Sequence, residues 1–446
     1  MSDVRLSRSR IGWYALPQIP HGFALLPVVN FVPGFYSDRL GMPLAIVGIV
    51  LVLTRLADIV VDPFIGAWSD STRSRFGRRK PFIAAGLPLL MLATWFVFVP
   101  PGPVGATYLF GWLFLMYLGF TLVDIPYGAW GAELSTDYDE RSRIQAWKGA
   151  ANSLGSLVTL SIPVVLQSLG YGDIVLTMMA MAICFIILQP TCFALAMWKV
   201  PEFPERRIAA PRQSVLQRWR LLAANRPLLR LCLALMLLIA GMAIGATLNM
   251  IIFKHVVGQP EYFAPAIFVQ NVVAILAIPL WLRVAARVGK HRAVAIAALV
   301  IGMMHALSFF ATRGDGLLLA TILVGIGVAM GGGFAILNAM VADIVDRDQV
   351  DTGEERTGVF VAVLGMATKF AIVIGVLLGT AIPGMASFQP SDASHSANSL
   401  LTLRLVYAFV APLLAAMTAW LLWRYPIDRA AQEELRREIA ARTRPA

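Results

Sequence analysis

Three observations predict an all-α integral membrane protein of twelve transmembrane helices in two six-helix halves. Of the 446 residues, 58% are hydrophobic and only 14% are charged, against roughly 25% charged in soluble domains. Apolar stretches of about 20 residues, the length that crosses a bilayer as a helix, recur twelve times along the chain. Finally, the basic turn Ser74-Arg75-Phe76-Gly77-Arg78-Arg79-Lys80 after the second stretch returns as Ala286-Arg287-Val288-Gly289-Lys290-His291-Arg292 after the eighth, at the same place in each half.

Taken in order, the first apolar run, about 12–37, follows Arg5, Arg8 and Arg10. It is longer than a signal-peptide core and no small-residue cleavage site closes it promptly, so it is expected to be retained as a span. Further spans fall at about 43–68, 81–100, 106–132, 145–169 and 174–199, completing an N-terminal half over 1–200. A polar, Pro- and Arg-rich linker over 201–228 leads to spans at about 229–254, 262–285, 291–312, 317–345, 357–384 and 402–424, a C-terminal half over 229–425. The tail, 426–446, carries mixed charges at helical spacing and reads as a solvated helix. Gly325, Gly327, Gly331, Gly332 and Gly333 in the tenth span, with Gly365, Gly375 and Gly379 in the eleventh, permit close helix pairing or bending.

Lys and Arg crowd alternate loops and both ends, which by the positive-inside rule places both termini and the linker in the cytoplasm; the expected membrane is the plasma (inner) membrane. The formal charge of +11 is accounted for by this bias and by anionic lipid headgroups, so nucleic acid is not an expected partner. Cys184, Cys192 and Cys232 fall in or beside apolar segments without metal-ligand spacing and read as core or lipid-facing residues.

Charges inside spans carry the functional signal, because an ionisable group at membrane depth costs a few kcal/mol or more and faces a bundle interior or a watery cavity. Asp58 and Asp62 stack four apart on one helical face, with Arg55 a turn earlier as a charge-network partner. Thr121 lies one turn before Asp124, and Lys369 sits mid-span, too deep to reach the interface. Aromatic and amide side chains within spans suit a polyhydroxylated ligand. His21, Tyr127, Trp130 and Lys148 are the favoured ones, and Tyr14, Asn30, Asn152, Asn249, Gln270, Asn271 and Asn338 form the wider pool. The loop residues Asp70, Arg73, Arg75, Gly77, Arg78 and Arg79 read as a conformational latch, made in one state and broken in another. Two equivalent halves also imply ligand and ion sites near the midplane, with one half rocking against the other.

Four motifs in register resemble the major facilitator superfamily, and within it the glycoside-pentoside-hexuronide:cation symporters typified by melibiose permease. They are Asp58, Asp62-Pro63, Gly66 and Ser74-Arg75-x-Gly77; then Thr121-x-x-Asp124-Ile125-Pro126; then Ala342-Asp343-x-x-Asp346 with Thr352-Gly353-x-x-Arg356-x-Gly358; and Lys369. The resemblance implies that Asp58, Asp62, Asp124 and Thr121 surround a coupling cation, that Asp124 also faces the substrate, and that Lys369 sits close by. Three positions depart from the family pattern: Gly22, beside His21, stands for a sugar-bonding aspartate, Gly149, beside Lys148, for a sugar-bonding arginine, and Val61 for a cation-site asparagine.

The resemblance therefore implies a cation-coupled symporter working by alternating access as a monomer, for a sugar or glycoside, with no cofactor and no resident metal. The missing asparagine oxygen costs a protonation mechanism nothing, which favours H+ as the coupling ion over Na+ in that acid cluster. Loss of the sugar-bonding acid keeps a symporter for a lysolipid or other amphiphile as the alternative. A membrane-embedded enzyme is the alternative of a different class. It lacks support, since the chain has no HExxH, GxSxG, nucleotide loop or Cys/His cluster.

Overall fold

The computed structural model describes residues 6–72, 74, 76–135, 138–202, 225–352, 357–392 and 394–426, with backbone only at 138, 139, 142, 334, 335, 338, 346, 349–352, 357–359 and 361. The protein is all-helical over these residues, and contacts divide it into two compact units, Met1–Ala210 with Ser387–His395 and Pro211–Ala386 with Ser396–Ala446. Of the expected linker over 201–228, residues 203–224 lie outside the described residues, as does the tail from 427 onward, and Arg226–Leu228 already belong to the helix that follows.

The first unit holds α1 (Arg8–Asn30, continued after a 48° bend by Val32–Arg39), α2 (Leu44–Ser71), α3 (Lys80–Phe98), α4 (Ala106–Glu133), α5 (Tyr138–Ser168) and α6 (Ile174–Lys199). The second holds α7 (Arg226–Ile251), α8 (Phe263–Val288), α9 (Lys290–Leu307), α10 (Gly316–Thr352), α11 (Thr357–Met385) and α12 (Ala397–Trp423). Eleven of these pass as spans by length and apolar character, and the bent α1 makes twelve. The bend in α1 falls at Phe31, two residues before Pro33, which lacks a backbone N–H and crowds the preceding turn. Helices α5 and α10 run past their expected spans because helical backbone continues through polar residues where apolar composition stops.

Close approach of backbones sets the helix positions that matter for the site. A β-carbon on Gly119 of α4 would lie 2.7 Å from the Leu90 nitrogen of α3, and one on Gly155 of α5 would lie 2.1 Å from the Ile19 carbonyl of α1. The α3–α4 and α1–α5 pairs are thus packed as tightly as glycine allows. In the second unit the same geometry holds α10 against α8, where Gly331 faces the Ala274 carbonyl, and α11 against α7, where Gly375 faces the Ala240 carbonyl. Gly365 meets nothing within 4 Å, so the glycines of the eleventh span do not all serve helix pairing. Helix α2 leaves Val60, Phe64 and Trp68 exposed in a stripe, as a bilayer-facing surface requires.

Candidate functional site

On α2, Arg55, Asp58 and Asp62 follow i, i+3, i+7 spacing, and on α4 Tyr117, Thr121 and Asp124 follow i, i+4, i+7, so each helix presents a polar stripe to the other. The stripes meet at Thr121, whose Oγ1 lies 2.8 Å from Asp58 Oδ1 and 3.0 Å from Asp62 Oδ1. Asp58 is buried and Asp62 half-buried. One hydroxyl carries one hydrogen and satisfies one of these oxygens at a time, so the other oxygen calls on a further donor or positive charge. Part of that charge comes from Arg55, whose Nη1 is 3.2 Å from Asp58 Oδ2 and whose guanidinium lies 4.7 Å from the centre of the Tyr117 ring. Pro63 and Pro126 remove the backbone bonds to the Ile59 and Leu122 carbonyls, loosening both helices beside the acids.

One turn along α4, Asp124 opens into a cavity of about 550 Å³, within the size range of small-molecule sites. Helix α1 lines it with Gln18, His21, Gly22, Leu25 and Leu26, α4 with Phe120 and Asp124, and α5 with Gln145, Lys148, Gly149, Asn152 and Ser156. Asp124 is 39% exposed, with His21 Nε2 at 3.4 Å and Lys148 Nζ at 4.0 Å from its Oδ1. The His21 ring stacks on Phe120 at 4.2 Å, and the Gln189 carboxamide of α6 reaches its Nδ1 at 2.9 Å. Gln18 donates to Asn152 Oδ1 at 3.2 Å. Gly22 and Gly149 supply room in this wall, while the residues beside them, His21 and Lys148, supply charge and hydrogen-bonding groups.

Tyr127 and Trp130 do not line this cavity. Tyr127 and Tyr14 donate to each other's backbone carbonyls, at 2.6 and 2.9 Å, and their rings stack at 4.8 Å. Trp130 donates to the Pro201 carbonyl at 3.1 Å, and both side chains are fully buried. Tyr127 still offers its ring face to Lys148 Nζ at 4.7 Å. Lys369 lies on α11 in the second unit, partly buried. Of the wider pool only Asn152 reaches the cavity. Asn30 and Asn271 bond their own helix backbones, Asn249 accepts from Tyr407 at 2.6 Å, and Gln270 faces the Met330 sulfur. The Asn338 side chain lies outside the described residues.

The turn between α2 and α3 is a second polar centre. Arg73 and Arg75 lie outside the described residues. Gly77 has φ +103°, left-handed backbone that a β-carbon disfavours, and a β-carbon there would also meet the Glu202 carboxylate at 2.0 Å. That carboxylate accepts the backbone N–H groups of Arg78, Arg79 and Lys80 at 2.5, 2.7 and 3.4 Å, capping the start of α3. Arg78 reaches the Asp70 carbonyl at 3.0 Å. The buried Arg79 guanidinium binds Glu133 at 2.6 Å, Asp70 at 2.7 Å and the Ser69 hydroxyl at 2.8 Å. Burial works against its charge, but the hydrogen bonds and charges of Glu133 and Asp70 outweigh burial and raise its pKa. The copy of the turn at Gly289 also has positive φ, +91°, and its Lys290 binds both oxygens of Asp343, at 2.8 and 2.7 Å.

Gln18, Gln145, Gln189, Glu133 and Glu202 are contributors that sequence reasoning missed. Gln18, Gln189 and Glu133 each stand in or at the end of an apolar span, a signal of the kind used for the aspartates, but only the fold supplies the partner of a neutral amide.

Comparison with known proteins agrees with this architecture. The protein-family model described as "MFS/sugar transport protein" matches residues 13–429. A glucuronide carrier protein homolog of Escherichia coli (strain K12) is 27% identical over 454 residues, covering 98% of this chain and 96% of the relative. A putative glycoside/cation symporter of the same organism is 22% identical, covering 97% and 94%. The isoprimeverose transporter of Lactiplantibacillus pentosus is 23% identical, covering 93% and 88%. Among solved structures, the nucleoside transporter NupG superposes with a TM-score of 0.65 at 15% identity, covering 94% of this chain and 99% of that one. A bacterial homologue of the human lysosomal transporter Spinster gives 0.61 at 14%, covering 99% and 100%. These two likenesses concern the fold.

Proposed function

The chain belongs to the MFS/sugar transport protein family of multi-pass membrane transporters, which are not enzymes, and from that premise we propose that it is a proton-coupled symporter of a sugar or glycoside working by alternating access. The observation that carries this is one helix: α4 bridges Asp58 and Asp62 through Thr121 and, a turn later, puts Asp124 into the wall of the polar cavity. Asp58, Asp62 and Thr121, with Asp124 a turn away, hold the coupling proton, and Asp124, His21 and Lys148 contact the substrate. Lys369 is a further substrate contact in this proposal. The Gly77 turn is the latch, on the cytoplasmic side of an inner membrane with both termini cytoplasmic. Names of relatives support a small carbohydrate cargo, and the amide-rich wall supports it over an amphiphile.

Proteoliposome uptake of labelled β-glucosides, β-xylosides and β-glucuronides tests this. At least one is expected to accumulate when a pH gradient is imposed, and Asp62→Asn is expected to bind that compound yet fail to accumulate it. Accumulation that follows a sodium gradient at fixed pH, and survives collapse of the proton gradient, would overturn the proton assignment. Lys369→Ala is expected to abolish uphill transport, since a lysine at mid-span depth is costly to keep and marks a ligand or ion pathway. Full accumulation by that variant would remove Lys369 from the site.

A further inference from the structure

The imidazole of His21 is held from two helices, α4 and α6, and its polar holder on α6 has no part in the mechanism above. We propose that Gln189 is a positioning residue of the cavity: its carboxamide fixes His21 as the Nε2–H tautomer and turns that hydrogen toward Asp124, the carboxylate on which the proposed symport relies.

The inference follows from hydrogen-bond bookkeeping at two buried side chains. His21 is 3% exposed and Gln189 fully buried, so water does not settle their polar atoms. In a neutral imidazole one ring nitrogen donates and the other accepts, and the partner of one decides the role of the other. His21 Nε2 stands 3.4 Å from Asp124 Oδ1 without an aligned hydrogen bond. A bare lone pair at that nitrogen would face a carboxylate oxygen at that distance, which is repulsive, whereas an N–H there is attracted. Nε2 therefore carries the hydrogen, and Nδ1 is the acceptor. The ring faces are covered by Phe120 at 4.2 Å and by the edge of Phe193 at 6.4 Å, neither of which donates. Among the described residues the polar contact of Nδ1 is the Gln189 carboxamide at 2.9 Å, so its NH2 must point at the ring.

That orientation leaves the Gln189 carbonyl oxygen buried without a hydrogen-bond partner, which is the cost of presenting the NH2 to the ring. Lys148 from α5 brings a positive charge to the same Asp124 oxygen at 4.0 Å. Among the described residues the charged group against His21 is Asp124 from α4, itself approached by Lys148 from α5, while α6 contributes the neutral Gln189 and Phe193.

The test uses the full chain in lipid bilayers with 15N-labelled histidine, read by solid-state NMR at neutral pH. Five histidines are present, and the signal missing in His21→Gln identifies the one of interest. The parent protein is expected to show a protonated Nε2 and a bare Nδ1 at His21; a protonated Nδ1 overturns the proposal. Gln189→Leu, which removes the donor, is expected to give a mixture of tautomers. Gln189→Glu, whose carboxylate only accepts, is expected to protonate Nδ1 and to raise the half-saturation concentration for nitrophenyl β-D-glucuronide uptake about tenfold at neutral pH, with a displaced pH optimum. The parent's pattern retained in both variants would overturn the role of Gln189. If the parent carries no glycoside at all, the symport reading fails by itself, and the tautomer measurement still decides for or against Gln189.

Discussion

The turn at 74–80 and its copy at 286–292 share a glycine in left-handed backbone, yet they are tied down very differently. In the first, Arg79 is buried among Ser69, Asp70 and Glu133 while Glu202 caps the following helix. In the second, Lys290 meets Asp343 with its side chain 31% exposed. The glycine answers a local demand, reversal of the chain between two helices. The charge network answers a tertiary one, namely which acids the neighbouring helix ends present. A sequence repeat can therefore conserve backbone shape while the energy that holds it in place differs between copies.

The largest contrast is expected from deleting the cations. Arg79→Ala leaves Glu133 buried without its guanidinium, a loss of about 3–5 kcal/mol, and should sharply lower the thermal unfolding midpoint of purified protein. Lys290→Ala breaks a partly exposed pair worth about 1 kcal/mol or less and should shift the midpoint little. Equal shifts would mean that the two turns are tied alike. Next come the glycines. Gly77→Ala is expected to cost about 1–2 kcal/mol for its backbone and, in addition, to displace Glu202, so initial uptake rates should fall further than in Gly289→Ala, where the nearest obstacle is a His291 ring carbon at 3.3 Å. A smaller effect is expected of Glu202→Gln, which keeps an acceptor but loses the charge that strengthens its bonds, about 1 kcal/mol. Amide exchange at Arg79 and Lys80 would report it as faster opening of the first turn of α3, and unchanged exchange would show that the cap is incidental.

Much of this was legible in the sequence, for physical reasons that differ by residue. The twelve spans were readable because bilayer thickness imposes a length on each apolar run. Asp58, Asp62, Thr121 and Asp124 were readable because charge at membrane depth is costly and helical spacing fixes which residues share a face. The bend in α1 at Phe31, two residues before Pro33, was not read, since an apolar count ignores backbone donors. Tyr127 and Trp130 looked like ligand groups because an aromatic with a polar tip suits a sugar, but such tips also bond backbone carbonyls in a core. Glu133 and Glu202 could not be assigned, because an acid at a helix end looks solvated until the arginine or the N–H groups it serves have been placed.

Thr121 and Asp124 stand three residues apart on α4, about 4.5 Å along its axis. They behave as two notches cut into one axle. A roll or slide of α4 that serves one site displaces the other in the same sense, without a relay of side chains between them. In the proposed symport, whatever free energy a bound ligand spends on setting α4 is then returned to the coupling ion, and by linkage the reverse holds by the same factor. Titrating the purified protein with the transported glycoside at a series of pH values should therefore give two equal numbers. One is the factor by which protonation tightens the ligand, and the other the factor by which the ligand tightens the proton. With α4 as the common element, Thr121→Val should bring that shared factor toward one while leaving the cavity and its lining in place.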